Sequence, residues 1–184
     1  MSIQPIYKER WLELFVCALV VAVISLFVNI QDPAGIVIMT SLASTALALM
    51  VAPEARTNSV RTVLISYAVA ILVSVVFGLV FFSYIDAFFV NENLLFFIKF
   101  FLMLVTTLLL FGYFDAYHPP SIGAMLTYLI AEGFDDLHLI LFVSLSVIFL
   151  LVFIKCYLYQ RPSNGLDWKD FGKEFTREFR GRKG

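Results

Sequence analysis

Apolar residues run along this chain in stretches of about twenty, separated by short polar breaks. That run length matches the helix needed to cross a bilayer, about 20 residues at about 1.5 Å each. The first stretch covers 11–30. Gln31-Asp32-Pro33-Ala34-Gly35 then turns the chain, with Asp32 placed to cap a second helix that opens at Pro33 and runs to about residue 52. A hydrophilic break at 53–61 precedes a third helix over 62–82, and a break at 83–93 precedes a fourth over 94–113. After His118-Pro119-Pro120 the pattern predicts a short helix over 121–131, only about 17 Å long against a hydrocarbon core of about 30 Å. One of its ends must be sunk in protein or in a water-filled cavity, where irregular backbone is tolerated at membrane depth. The last long run covers 139–159.

These elements predict an all-α polytopic membrane protein with about six transmembrane segments. A polar start at 1–10 leads into a membrane domain over 11–160, which a basic tail over 161–184 follows. Sliding 33–42 onto 120–129 aligns Pro33 with Pro120, Thr40 with Thr127 and Leu42 with Leu129. Each half then holds three helices with a proline-started helix in the middle, the pattern of a 3+3 inverted repeat with a site at the repeat interface.

Composition agrees: 61% of the 184 residues are hydrophobic, 15% are charged, and the mean hydropathy is +0.91. The net charge of −1 matters less than where the basic residues fall. Six crossings with the amino end inside place Asp32, Asp86 with Glu92, and the acids of 132–136 outside, and every loop or tail lysine and arginine inside. Both termini are therefore expected in the cytoplasm. Cys17 and Cys156 fall in apolar runs and read as packing residues. The first run lacks a small-residue cleavage site and reads as a retained helix.

Several faces carry polar groups. On the second helix Thr40, Ser41, Ser44, Thr45 and Ala48 recur at helical steps, a face suited either to close packing or to a hydroxyl-lined path. Ser66, Ala70, Ser74 and Gly78 form a small-residue ridge on the third helix and read as packing, within one subunit or between the subunits of a homo-oligomer. Lys99, about 9 Å into the fourth helix, either snorkels to the outer interface or draws anions into an outer vestibule. In the tail, Leu166, Trp168, Phe171, Phe175 and Phe179 recur between charges. They predict an amphipathic helix lying on membrane lipids, or else a docking segment for a soluble partner; four interleaved acids argue against nucleic acid.

The densest chemistry is Phe114-Asp115-Ala116-Tyr117-His118-Pro119-Pro120-Ser121-Ile122-Gly123, an acid, a phenol, an imidazole and two prolines between apolar runs. Proline ends one helix and suits the first turn of the next, whose amides then point towards His118. Taken with 41–54, Ser-Leu-Ala-Ser-Thr-Ala-Leu-Ala-Leu-Met-Val-Ala-Pro-Glu, the His-Pro-Pro motif resembles the HPP family of integral membrane proteins over roughly 32–159. In place of the family's usual Pro-Pro-Ala-Gly-Ala, this chain reads Pro119-Pro120-Ser121-Ile122-Gly123-Ala124. The resemblance implies a compact helical membrane protein of a bacterial or archaeal inner membrane or a chloroplast envelope, and nitrite transport as in its best described members.

Two proline-started helices aimed at a common centre would favour a small anion. His118 would donate a hydrogen bond and carry a proton, Asp115 would orient it, and Tyr117, Thr127, Thr40 and Ser44 would line the path beside Pro119, Pro120 and Ser121. The alternative for His118 and Asp115 is a structural knot, in which they bond each other and the carbonyls freed at the helix break. The rival from another class is a membrane scaffold or sensor acting through its tail. Metalloprotease and nucleophile-elbow signatures are absent from the sequence, which points away from an enzyme, and nothing implies a cofactor.

Overall fold

A computed structural model describes residues 7–26, 32–82, 85, 91–131, 137–160 and 167–176, with the side chains of 7–14, 137 and 170 left aside. Its regular elements are helices. They are α1 (Tyr7–Ser25), α2 (Pro33–Val51), α3 (Val60–Val76), α4 (Glu92–Phe114), α5 (Ser121–Ala131) and α6 (Leu137–Tyr159). A π-helical segment, Phe77–Phe82, prolongs α3, and short 3-10 segments cover Arg56–Asn58 and Trp168–Phe175. Four helical stretches, Pro33–Val51, Val60–Phe82, Glu92–Phe114 and His138–Tyr159, are long and apolar enough to cross a membrane.

Local chemistry explains the boundaries. Asp32 caps α2 through its carboxylate, which accepts from the Ala34 amide at 3.0 Å, and Pro33 occupies the first turn, where a missing N–H costs nothing. Ser59 and Asn91 cap α3 and α4 in the same way. α4 closes in a left-handed cap at Asp115 (φ 52°), with the Asp115 amide on the Gly112 carbonyl and the Ala116 amide on that of Phe111.

The short helix α5 is the hub. It packs most extensively on α2 and α3, and Ser121, Ala124, Met125, Thr127, Tyr128 and Leu129 are all buried. A Cβ built on Gly123 would lie 2.7 Å from the Ser41 Cβ, so α2 and α5 cross at a distance only glycine permits. Gly123→Ala is therefore expected to lower stability by about 1–2 kcal/mol, overpacking outweighing the gain in helix propensity. Thermal unfolding checks this, and adding Ser41→Gly should restore part of the loss.

On α3 the ridge residues Ser66, Ala70 and Ser74 are buried, as packing requires, whereas Gly78 falls in the π-helical segment and is half-buried. α1 begins at Tyr7, ahead of the expected start at residue 11, and its described helix runs to Ser25; 27–30 lie outside the described residues. The acidic stretches 86–90 and 132–136, and Arg161, Leu166 and Phe179, lie outside the described residues. What is described of the tail is a 3-10 segment and not an α-helix. Trp168, Phe171 and Phe175 form ring contacts there with one another and with Tyr159, but the segment is seated on the bundle by an acid: Glu174 is fully buried.

Candidate functional site

The carboxyl ends of α2, α4 and α6 and the amino ends of α3 and α5 meet at one end of the bundle, around the break at 52–59. Two sets of contacts grip this break. On one side Asn58 Nδ2 donates to the Ala48 and Ala52 carbonyls, closing the end of α2. The Glu174 carboxylate accepts from the Val60 amide (3.1 Å), from Tyr159 Oη (2.7 Å) and from Lys155 Nζ (2.7 and 2.9 Å), and Lys155 also donates to the Pro53 carbonyl. Lys155 and Glu174 are 1% and 0% exposed, so the tail is fastened by a dry ion pair.

On the other side stands His118, 1% exposed in the connection between α4 and α5. Its Nδ1 lies 3.0 Å from the Thr57 carbonyl, which can only accept, so Nδ1 carries a hydrogen. Its Nε2 lies 3.0 Å from Thr45 Oγ1. The Thr45 hydroxyl is 2.8 Å from Tyr67 Oη, which is 2.9 Å from Ser41 Oγ; Ser41 in turn donates to the Pro120 carbonyl at 2.6 Å. A continuous chain of polar contacts thus runs from the 52–59 break to the His-Pro-Pro turn through side chains of α2 and α3. Burial pushes the His118 imidazole down to about 4, partly opposed by its bond to the Thr57 carbonyl. Ser66 Oγ, from the α3 ridge, fixes the same connection by donating to the Ala116 carbonyl at 2.6 Å.

Asp115 does not orient the imidazole. Its carboxylate pairs with Arg56, while Arg61 donates to the Phe114 (2.9 Å) and Asp115 (3.4 Å) carbonyls. An acid at the negative end of α4 is unfavourable by itself, and two guanidinium groups offset it. Histidine and aspartate therefore do not bond each other as expected of the knot: each holds the 53–61 region by separate contacts.

The amides expected to face an anion are also engaged. The Ser121, Ile122 and Gly123 amides donate to the His118, Pro119 and Pro120 carbonyls, and the carboxylate of Asp32 occupies the amino end of α2. Neither proline-started helix presents an open amide cradle in this conformation. Ser121 is buried and its hydroxyl donates to the His118 carbonyl. Pro119 is exposed and Pro120 half-buried. Tyr117 turns outward, 49% exposed, with its hydroxyl over Gly112 and its ring edge-on to Phe111.

Thr40 and Ser44 lie on the exposed side of α2, and Thr40 bonds back to the Ile36 carbonyl. The hydroxyls that do reach His118 are their neighbours Ser41 and Thr45, with Tyr67 from α3. Thr127 is buried but donates to the Gly123 carbonyl of its own helix. Lys99 is half-buried with its ammonium 4.9 Å from the centre of the Phe82 ring, a cation–π contact at the π-helical end of α3. A separate apolar groove of about 320 Å³ lies between α1 and α6, lined by Val23, Ile24, Phe142, Leu145, Ser146 and Phe149, none of which touches the His118 chain.

No protein-family model, curated protein or solved structure matches this chain.

Proposed function

We propose that this chain is an integral membrane transport protein that moves a small inorganic anion, nitrite being the first candidate, together with a proton handled at His118. The observation that carries the reading is the line of polar contacts from the exposed Thr57 through the buried His118, Thr45, Tyr67 and Ser41 to the half-buried Pro120, placed between helices in an apolar chain. Ionisable groups inside membrane proteins mark solute and proton paths more often than they serve packing alone. The resemblance to HPP proteins supplies the substrate class. In this reading the chain is polytopic with six segments, α1 and α5 included, and both termini lie on the cytoplasmic side of a cell inner membrane.

The 3+3 inverted repeat belongs to the same proposal. Its middle helices would be α2 and α5, and these are the pair packed most extensively together, meeting at Ser41 and Gly123 beside the site. Because the helix ends are closed in this conformation, anion entry requires the α2–α5 crossing to open, as alternating access provides. Self-association as a homo-oligomer is part of the reading.

The scaffold alternative rests on the tail, where Trp168 and Phe175 stay half exposed. Within the described tail the aromatic residues contact one another and Tyr159, and the fastening residue is Glu174.

Nitrite uptake into proteoliposomes, with and without an inward proton gradient, tests the proposal. Gradient-stimulated uptake above the protein-free rate is the expected result, with nitrate and formate as competitors to rank the substrate. Uptake equal to that of empty liposomes from a folded protein would overturn it.

A further inference from the structure

The polar chain at His118 contains more contacts than hydrogens. Both of its ends, the Thr57 and Pro120 carbonyls, are acceptors only. Between them lie five contacts: Thr57 to His118, His118 to Thr45, Thr45 to Tyr67, Tyr67 to Ser41, and Ser41 to Pro120. A neutral imidazole supplies one hydrogen and the three hydroxyls one each, so one contact is left without a hydrogen. With Nδ1–H on Thr57, Thr45 donating to Nε2 and Ser41 donating to Pro120, the single Tyr67 hydrogen cannot serve both neighbours. The longer contact of Tyr67 Oη to the Ser41 carbonyl (3.4 Å) adds a further acceptor and no hydrogen.

We propose that His118, Thr45, Tyr67 and Ser41 bind one proton as a unit, the added hydrogen completing a head-to-tail chain of five hydrogen bonds. In the loaded state Nε2–H donates to Thr45, Thr45 to Tyr67, Tyr67 to Ser41 and Ser41 to the Pro120 carbonyl. The step balances simply: hydronium gives up one O–H bond to become water, and one N–H bond forms at Nε2. If the proton enters at the Ser41 end, each hydroxyl accepts one hydrogen and passes its own along, and Thr45 delivers the last to Nε2. Burial opposes an isolated imidazolium, and the extra hydrogen bond works against that penalty.

Among the described residues no carboxylate contacts the ring to share the charge. α2 presents hydroxyls alone. α3 presents Tyr67, its ring centre 6.2 Å from that of His118, and α5 contributes Tyr128 as its ionisable side chain. Asp115, Arg56 and Arg61 at the adjoining turn are joined to one another, and Glu174 with Lys155 lies beyond the 52–59 break. The inference concerns the same residues as the transport reading, but its test involves no transport, so the two fail separately.

His118 and His138 are the two histidines of the chain, so His138→Gln leaves a single reporter. The titration midpoint of His118 is read from ring ¹⁵N shifts of the purified, detergent-solubilised protein in that background, made without a histidine tag. Removing an inner hydroxyl deletes its two short contacts and one hydrogen, which balances the count of short contacts and leaves only the 3.4 Å contact of Tyr67 Oη to the carbonyl of residue 41 to gain from loading. Tyr67→Phe and Ser41→Ala should each lower the midpoint by about one pH unit or more, a tenfold loss of proton affinity. Ser41 is decisive because it acts through two intervening groups and does not touch the ring. A midpoint unchanged by Ser41→Ala would overturn the proposal in favour of an isolated imidazole. Should the variants fail to fold, the unsubstituted chain still decides: the Tyr67 Cζ and Ser41 Cβ signals must titrate with His118, and a Ser41 signal that stays fixed overturns the unit.

Discussion

Glu174→Ala is expected to destabilise the protein by about 3–5 kcal/mol, the cost of removing one partner from a dry ion pair. The loss is large because three donors converge on this carboxylate: the Lys155 ammonium, the Tyr159 hydroxyl and the Val60 amide at the start of α3. Lys155 would keep a charge inside the bundle beside the Pro53 carbonyl after losing the Glu174 carboxylate that pairs with it. The paired substitution Lys155→Leu with Glu174→Leu should recover about half of the loss, because two apolar side chains remove the buried charge altogether. A residual deficit of about 1–3 kcal/mol should remain for the Val60 amide and Tyr159 hydroxyl. Thermal or denaturant unfolding in detergent reads both numbers. A single variant as stable as the unsubstituted chain would mean that Glu174 is not held as described. Truncation at Gly165 is expected to destabilise for the same reason, so tail deletion does not separate a transporter from a scaffold, whereas Trp168→Ala, which leaves the ion pair intact, does.

His118→Ala should reduce gradient-driven uptake to the protein-free rate. It removes the donor to the Thr57 carbonyl, while Thr45 keeps Tyr67, and should cost about 1–3 kcal/mol of stability as well. The two effects separate by measurement: the folded fraction at the assay temperature is read by thermal unfolding, and uptake must fall further than that fraction. Lost uptake explained wholly by lost folding would make His118 the keystone of a structural knot.

Helix boundaries set by local chemistry were legible in the residues. The start of α5 follows from Pro119 and Pro120, and the start of α2 from Asp32-Pro33, because caps and prolines act over three or four positions. The α3 ridge was legible too, since small residues at four-residue spacing suit a close contact whatever the partner. The site was legible only to the level of His118. Thr40 and Ser44 differ from Ser41 and Thr45 by one helical position, about 100° of rotation, and which pair faces inward is decided by the crossing at Gly123, roughly eighty residues away. Tyr67 gave no signal, being one aromatic residue among many in an apolar run. Asp115 finds Arg56 across fifty-nine positions, a separation that sequence pattern does not address. In the tail, Glu174 falls on the charged face of an ideal α-helix and reads as solvated. The 3-10 winding and the ammonium of Lys155 turn it inward instead.

The most direct test of proton-coupled anion movement is the internal pH of proteoliposomes while nitrite enters down its own gradient, read with an entrapped dye against protein-free vesicles. The account predicts acidification in step with nitrite entry, close to one proton per anion above the protein-free background, and its absence with His118→Ala. Nitrite entering through the folded protein with no acidification above that background would contradict it.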